Sequence, residues 1–179
     1  MTLNEAKTLL SKNSIPYELC EYQNETAYWH HAMQFPHTKN AKSCKVTVIL
    51  IRSKNGKKNM ELQFHAVDGI FRFAELYFGD YSYEMFDVKE ESLENDLLAC
   101  IAEIINGRFT VICASDLRKK RRLGDACFDR GDDDKRFGEP GFQKAMQRIQ
   151  KPKGIFEKVS KSVKQYEIYD WNTYQCIIK

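Results

Sequence analysis

Apolar and polar residues alternate along the middle of the chain, and this alternation predicts β-strands. In MELQFH, Met60, Leu62 and Phe64 alternate with polar residues, as on a strand with one buried face. The run VTVILI (46–51) is apolar on both faces, which is typical of a central strand. Further strands are predicted at IPYELCEY, IFRFAELYF, YSYEMFD, FTVICA and in the two halves of YEIYDWNTYQCIIK.

Helical periodicity appears at intervals between these strands. Thr2 and Glu5 stand in capping-box register at the start of a short helix. A wide apolar stripe predicts a helix over 93–106, which Gly107 can end. Helices are also predicted at NETAYWHHAM, GFQKAMQRIQ and IFEKVSKSV. The pattern predicts an α+β fold: a single globular domain over 1–179, with a mostly antiparallel sheet and helices packed largely on one face.

Composition narrows the class of protein. The chain has 179 residues, of which 42% are hydrophobic and 30% charged, and its formal net charge is only +3. That balance gives a nucleic-acid binder no general support. We expect that the N-terminal segment does not act as a secretory signal, and no apolar run approaches the ~18 residues of a membrane helix. The six cysteines follow no CxxC spacing, so we expect reduced thiols, a cytoplasmic location and no membrane partner.

The segment RKKRRLGDACFDRGDDDKR is the most charged stretch of the chain. A basic run, which could bind phosphate, is formed by Arg118, Lys119, Lys120, Arg121 and Arg122. The Asp cluster at 129–134 could instead hold a metal ion in a hydrolase. Adjacent glycines favour a third interpretation, a mobile exposed loop between a strand ending near 114 and a helix beginning near 141, in which the two runs offset each other's field.

Other candidate chemistry is sparse. His30, His31 and His37 lie near one another, with Cys44 further on, but their spacing matches no zinc-finger pattern. Neither a Gly-rich phosphate loop nor a GxSxG nucleophile elbow occurs. The sequence therefore predicts no metal, no cofactor and no catalytic residue, and it favours a protein that is not an enzyme.

Aromatic residues stand beside acidic residues in two segments, FAELYFGDYSYEMFDVKEES and YEIYDWNTYQCIIK. Aromatic side chains supply anchors at protein interfaces, and carboxylates steer toward basic partners. We therefore expect a binding surface for a protein with a basic surface. Its predicted residues are Tyr81, Tyr83, Glu84, Asp87, Trp171 and Tyr174.

Three segments, LQFHAVDGIFRFAELYFGDYSYEMFD, RLGDACFDRGDDD and YEIYDWNTYQCIIK, resemble a group of small bacterial proteins of about this length. In overall style, with a short N-terminal helix, an aromatic sheet and an acidic surface, the chain resembles immunity proteins that neutralise toxins. The resemblance implies a non-enzymatic, cytosolic protein-binding module with a toxin as partner. Two alternatives stay open: a nucleic-acid-associated protein that uses the basic run 118–122, and a metal-dependent hydrolase that uses the Asp cluster 129–134.

Overall fold

A computed structural model of the protein describes residues 2–23, 44–87, 93–152 and 162–179. Within these ranges the chain forms nine strands and three helices. The helices are α1 (Leu3–Lys12), α2 (Leu93–Ile105) and α3 (Glu139–Gln150). The strands are β1 (Glu18–Gln23), β2 (Cys44–Ile51), β3 (Met60–Val67), β4 (Ile70–Phe78), β5 (Tyr81–Asp87), β6 (Phe109–Asp116), β7 (Arg121–Asp129), β8 (Lys164–Tyr169) and β9 (Tyr174–Ile178).

The strands form two sheets, and every strand pairs antiparallel with its neighbours. The first sheet has the order β1-β2-β3-β4-β5, and the second has the order β7-β6-β8-β9. The chain divides into two compact units: unit 1 comprises Met1–Arg52 and Asn59–Ala99, and unit 2 comprises Ser53–Lys58 and Cys100–Lys179. The predicted α+β class with antiparallel strands is confirmed, while the assignment of 1–179 to one domain stays a prediction.

In unit 1 the first sheet is a meander whose alternation buries one face. Met60, Leu62 and Phe64 of β3 are buried, and their partners on β4 are Phe78, Leu76 and Ala74, which are buried as well. Two tight turns join β3 to β4 and β4 to β5. At one of them Asp68 and Gly69 both have positive φ, a combination that suits the right-handed twist of the flanking strands. α1 begins with the predicted capping box between Thr2 and Glu5.

In unit 2 one face of the second sheet carries a compact apolar core. Phe142 and Ile149 of α3 pack there with three buried residues of the sheet: Ile112, Phe128 and Ile168. Pro140 lies in the first turn of α3, where its missing N–H costs nothing. The helix therefore lies on this face because its apolar stripe at helical spacing matches the alternating apolar face of the strands.

Most of the predicted elements are confirmed, but the charged stretch is not a loop throughout. Residues 121–129 form β7 and pair with β6 along its length, interrupted by a β-bulge. The predicted exposure is confirmed for most of residues 118–136, but the predicted loop was wrong for 121–129, where pairing with the apolar β6 overrode the low strand propensity of Asp and Gly. The helices predicted at NETAYWHHAM and IFEKVSKSV lie largely outside the described residues.

Candidate functional site

The turn between β6 and β7, which we call the basic tip (Arg118–Arg121), is built by the buried carboxylate of Asp116. One oxygen, Oδ1, accepts hydrogen bonds from the backbone N–H groups of Arg118 and Lys119, each at 3.0 Å. The other, Oδ2, accepts a bond of 3.1 Å from Ser162 Oγ. Hydrogen bonds from the Lys119 and Arg118 amides and from Ser162 hold the pKa of Asp116 below its usual range. The negative charge is thus used to shape the turn.

The four cations of the basic tip point to solvent. Arg118, Lys119, Lys120 and Arg121 are all exposed, and Lys120 has a positive φ of 47° at the turn. Among the described residues none of their side chains forms an ion pair. The adjacent Arg122 differs, because its Nη2 lies 3.0 Å from Asp125 Oδ1. The predicted phosphate-binding run therefore divides into four exposed cations that form no ion pair among the described residues, with the Asp116 carboxylate beneath their turn, and one paired arginine.

Three of the four aspartates of the Asp cluster 129–134 accept hydrogen bonds from named partners, Asp129 from Arg108 and Asp132 and Asp134 from amides of the loop itself. Asp129 forms a two-bond pair with Arg108, Nε to Oδ1 at 2.8 Å and Nη2 to Oδ2 at 2.7 Å. Asp132 Oδ1 accepts from the Asp134 amide at 3.0 Å. Asp134 Oδ1 accepts from the amides of Arg136 at 2.5 Å and Phe137 at 2.8 Å. These carboxylates fold the chain into the start of α3, and the described residues contain no cluster of three or more metal-ligating side chains.

The expected pairing between the basic run and the Asp cluster is wrong for the described residues. The two groups lie at opposite ends of β7, which has 9 residues. At roughly 3.3 Å per residue they are about 25 Å apart. The Debye length in physiological salt is about 8 Å, so the carboxylates do little to screen the tip. The positive field of the tip therefore persists at the surface.

Charge is divided unequally between the two units. Unit 2 contains 20 lysines and arginines against 11 aspartates and glutamates, a formal net charge of +9. Unit 1 contains 8 against 14, a formal net charge of −6. The net charge of +3 for the chain is thus the difference between a basic unit and an acidic unit. The excess of cations in unit 2 favours a positively charged surface there, even though the positive and negative charges of the whole chain nearly cancel.

The predicted aromatic and acidic residues fall in both units. Tyr81 is half-buried on β5, and the same strand contains Tyr83, Glu84 and Asp87, whose side chains are outside the described set. In unit 2, Trp171 is only 4% exposed. Tyr174 is half-buried, and its hydroxyl donates to Glu167 Oε1 at 2.6 Å. These positions stay predictions, although burial of Trp171 gives that side chain a packing role.

A polar pair in unit 1 was missed by the sequence analysis. His65 Nε2 lies 4.0 Å from Glu75 Oε2, and the two side chains are 1% and 5% exposed. Ser82 Oγ donates to Glu75 Oε1 at 3.1 Å. Burial raises the pKa of the nearby Tyr77, and the Glu75 carboxylate raises it further. Alternation along β3 and β4 placed these residues on the polar face, so only the folded chain reveals that they are buried.

Two further predictions concern the histidine group and membrane-spanning helices. His30, His31 and His37 lie outside the described residues, so the question of metal binding there stays as the sequence leaves it. No helix in the described ranges is long and apolar enough to cross a membrane.

The hydrogen bonds accepted by the carboxylates of the Asp cluster 129–134 predict a loss of stability in acid. Amide donors from Phe137 and Arg136 lower the pKa of Asp134, and the Arg108 guanidinium lowers that of Asp129. A lowered pKa contributes stability above the unfolded value of about 3.9, which is lost as pH falls through the folded value. We expect the free energy of unfolding to fall below about pH 4, and to fall less steeply in Asp134→Asn.

This expectation is measured by urea denaturation across the acid range. Asp133→Asn is the control, since in the described structure the Asp133 side chain makes no hydrogen bond, and it should leave the free energy of unfolding at neutral pH unchanged. An Asp134→Asn variant with the same acid profile as the wild type would show that this carboxylate is not coupled to folding.

Comparisons of the chain with protein-family models, with curated proteins and with solved structures give no match, so the candidate site rests on the geometry of the chain itself.

Proposed function

We propose that the protein is a non-enzymatic binding protein whose unit 2 binds the phosphate backbone of a nucleic acid through the basic tip. The observation that carries the proposal is the set of four exposed cations on one ordered turn, with no ion pair among the described residues. Phosphate neutralisation by lysine and arginine releases condensed counterions, and this release supplies most of the affinity of sequence-independent binding.

The shape of the tip supports this assignment. Asp116 fixes the turn through backbone hydrogen bonds, so the four side chains are presented from a scaffold that is already ordered. Leu117 and Leu123 flank the tip and are 41% and 42% exposed, which provides apolar contact area beside the cations.

The proposal predicts a steep, tip-dependent salt effect. A variant with Arg118, Lys119, Lys120 and Arg121 all replaced by Gln should bind a labelled DNA duplex or RNA far more weakly than the wild type at low salt. If all four cations contact phosphates of the duplex, the slope of log affinity against log salt should shrink by about 3 to 4. Fluorescence anisotropy over a salt series measures both quantities.

A matched variant separates the tip from general charge. Replacement of four other exposed cations of unit 2 by Gln removes the same charge from the same unit: Lys54, Lys57, Lys144 and Arg148. That variant should keep most of the affinity and the slope. Equal weakening in both variants would mean diffuse attraction without a site, and the absence of binding by the wild type at low salt would refute the proposal.

A second proposal is the binding of a basic protein, such as a toxin, by unit 1. It is supported by the net charge of −6 of that unit and by the aromatic and acidic residues of β5. Carboxylates around aromatic anchors would speed the association of a basic partner. Replacing Glu84 and Asp87 with Lys should slow association with such a partner and leave nucleic-acid binding by the tip intact.

A further inference from the structure

The last strand of the second sheet, β9, differs from the other strands at sheet edges. β1 contains Glu18 and Glu21, β5 contains Glu84 and Asp87, and β7 contains four charged residues and a β-bulge. β9, with the sequence YQCII, contains no charged residue. Charges and bulges are the usual protection of a sheet edge against pairing with another chain. β9 is therefore the least protected of the four sheet edges in the described fold.

The hydrogen-bond register of β9 defines which backbone groups point outward. Lys164 and Lys179 exchange two backbone bonds, with N···O distances of 2.7 and 2.8 Å. Because such pairs alternate along an antiparallel ladder, the groups of residues 175 and 177 also face β8. Cys176, whose partner on β8 is Glu167, belongs to the other set. Its N–H and C=O, and those of Ile178, are directed away from β8.

We propose that β9 pairs with β9 of a second copy of the chain, antiparallel and centred on Cys176. The pairing would join two four-stranded sheets into one eight-stranded sheet. It would place Cys176 opposite its own copy and Ile178 opposite Tyr174, an aromatic and β-branched pair of the kind that stabilises sheets. No like charges meet within the paired strands, because β9 has none.

The side chains of β9 fit a second copy. Cys176 is exposed, and Ile178 is the most exposed of the large hydrophobic residues in the described chain, at 61%. Pairing about a two-fold axis would cover Cys176 and Ile178 in each of the two copies. The Cα atoms of two opposed Cys176 residues in a hydrogen-bonded pair would be about 5.5 Å apart. That separation lies within the range of about 4.4–6.8 Å in which a disulfide can form.

Sedimentation equilibrium of the full chain tests the proposal. The wild type should dimerise, and Cys176→Lys should weaken the dimer about tenfold or more, since two like charges would then face each other across the axis. Cys176→Thr is the matched control and should keep the dimer, because threonine suits a strand and carries no charge. A wild type that stays monomeric at high protein concentration, or a Cys176→Lys variant that dimerises as well as Cys176→Thr, would overturn the proposal.

A covalent trap identifies the interface independently. A short bis-maleimide, which alkylates two nearby thiols, should join the wild-type copies through Cys176 on both chains, as shown by peptide mapping. Cys176→Ser should still form the dimer but give no such product. A dimer whose linked peptides come from other cysteines would place the interface elsewhere and contradict the pairing of β9. Because nucleic acid is absent from both experiments, their outcome is independent of the proposed function.

Discussion

Phe142→Ala should destabilise unit 2 by about 3–5 kcal/mol. Phe142 is buried beside Phe128, with ring centroids 5.8 Å apart in an edge-to-face arrangement. The guanidinium of Arg130 lies 4.5 Å from the centre of the Phe142 ring and also pairs with Glu139. Truncation removes the buried ring, leaves a cavity in the core between α3 and the second sheet, and removes the cation–π contact. Urea denaturation measures the change.

Two companion variants make this expectation specific. Phe137→Ala removes an aromatic ring from a residue that is 45% exposed, although its ring centroid lies 6.4 Å from that of Phe128. It should cost about 1 kcal/mol. Phe142→Leu should recover much of the lost stability by filling most of the cavity. Equal losses from Phe142→Ala and Phe137→Ala would show that α3 does not complete this core.

Gly141→Ala should also be strongly destabilising, by about 3 kcal/mol. A Cβ atom added at Gly141 would lie 2.2 Å from the carbonyl oxygen of Arg136, which belongs to the backbone and cannot rotate away. The loop before α3 would have to open, with loss of the bonds from the Arg136 and Phe137 amides to Asp134. Thermal denaturation should show a lower midpoint.

Gly131→Ala is the matched control for this prediction. At Gly131 an added Cβ would meet Arg108 Nε and Asp129 Oδ1, both at 3.4 Å, which is close to ordinary contact. Its expected effect on stability is within about 1 kcal/mol. If Gly141→Ala were as stable as Gly131→Ala, the close contact between Gly141 and the backbone carbonyl of Arg136 would be disproved.

The sequence by itself determined the elements whose pattern is strong and local. Three such patterns are confirmed, and each spans a single turn or a single element. They are the capping box at Thr2 and Glu5, the alternation of Met60, Leu62 and Phe64, and the apolar stripe of α3. The stripe of α2 is confirmed as well, since Leu97 and Ile101 are fully buried. Such features depend on residues a few positions apart, so the pattern alone specifies them.

Only the tertiary structure decided how the charged residues are used. Arg108 and Asp129 are 21 positions apart, and no local pattern pairs them. Strand β7 forms because its largely polar residues pair with the apolar strand β6. This pairing separates the basic tip from the aspartates by the length of the strand. Whether two charges offset each other depends on their distance in space compared with the Debye length, and distance in space is set by strand pairing.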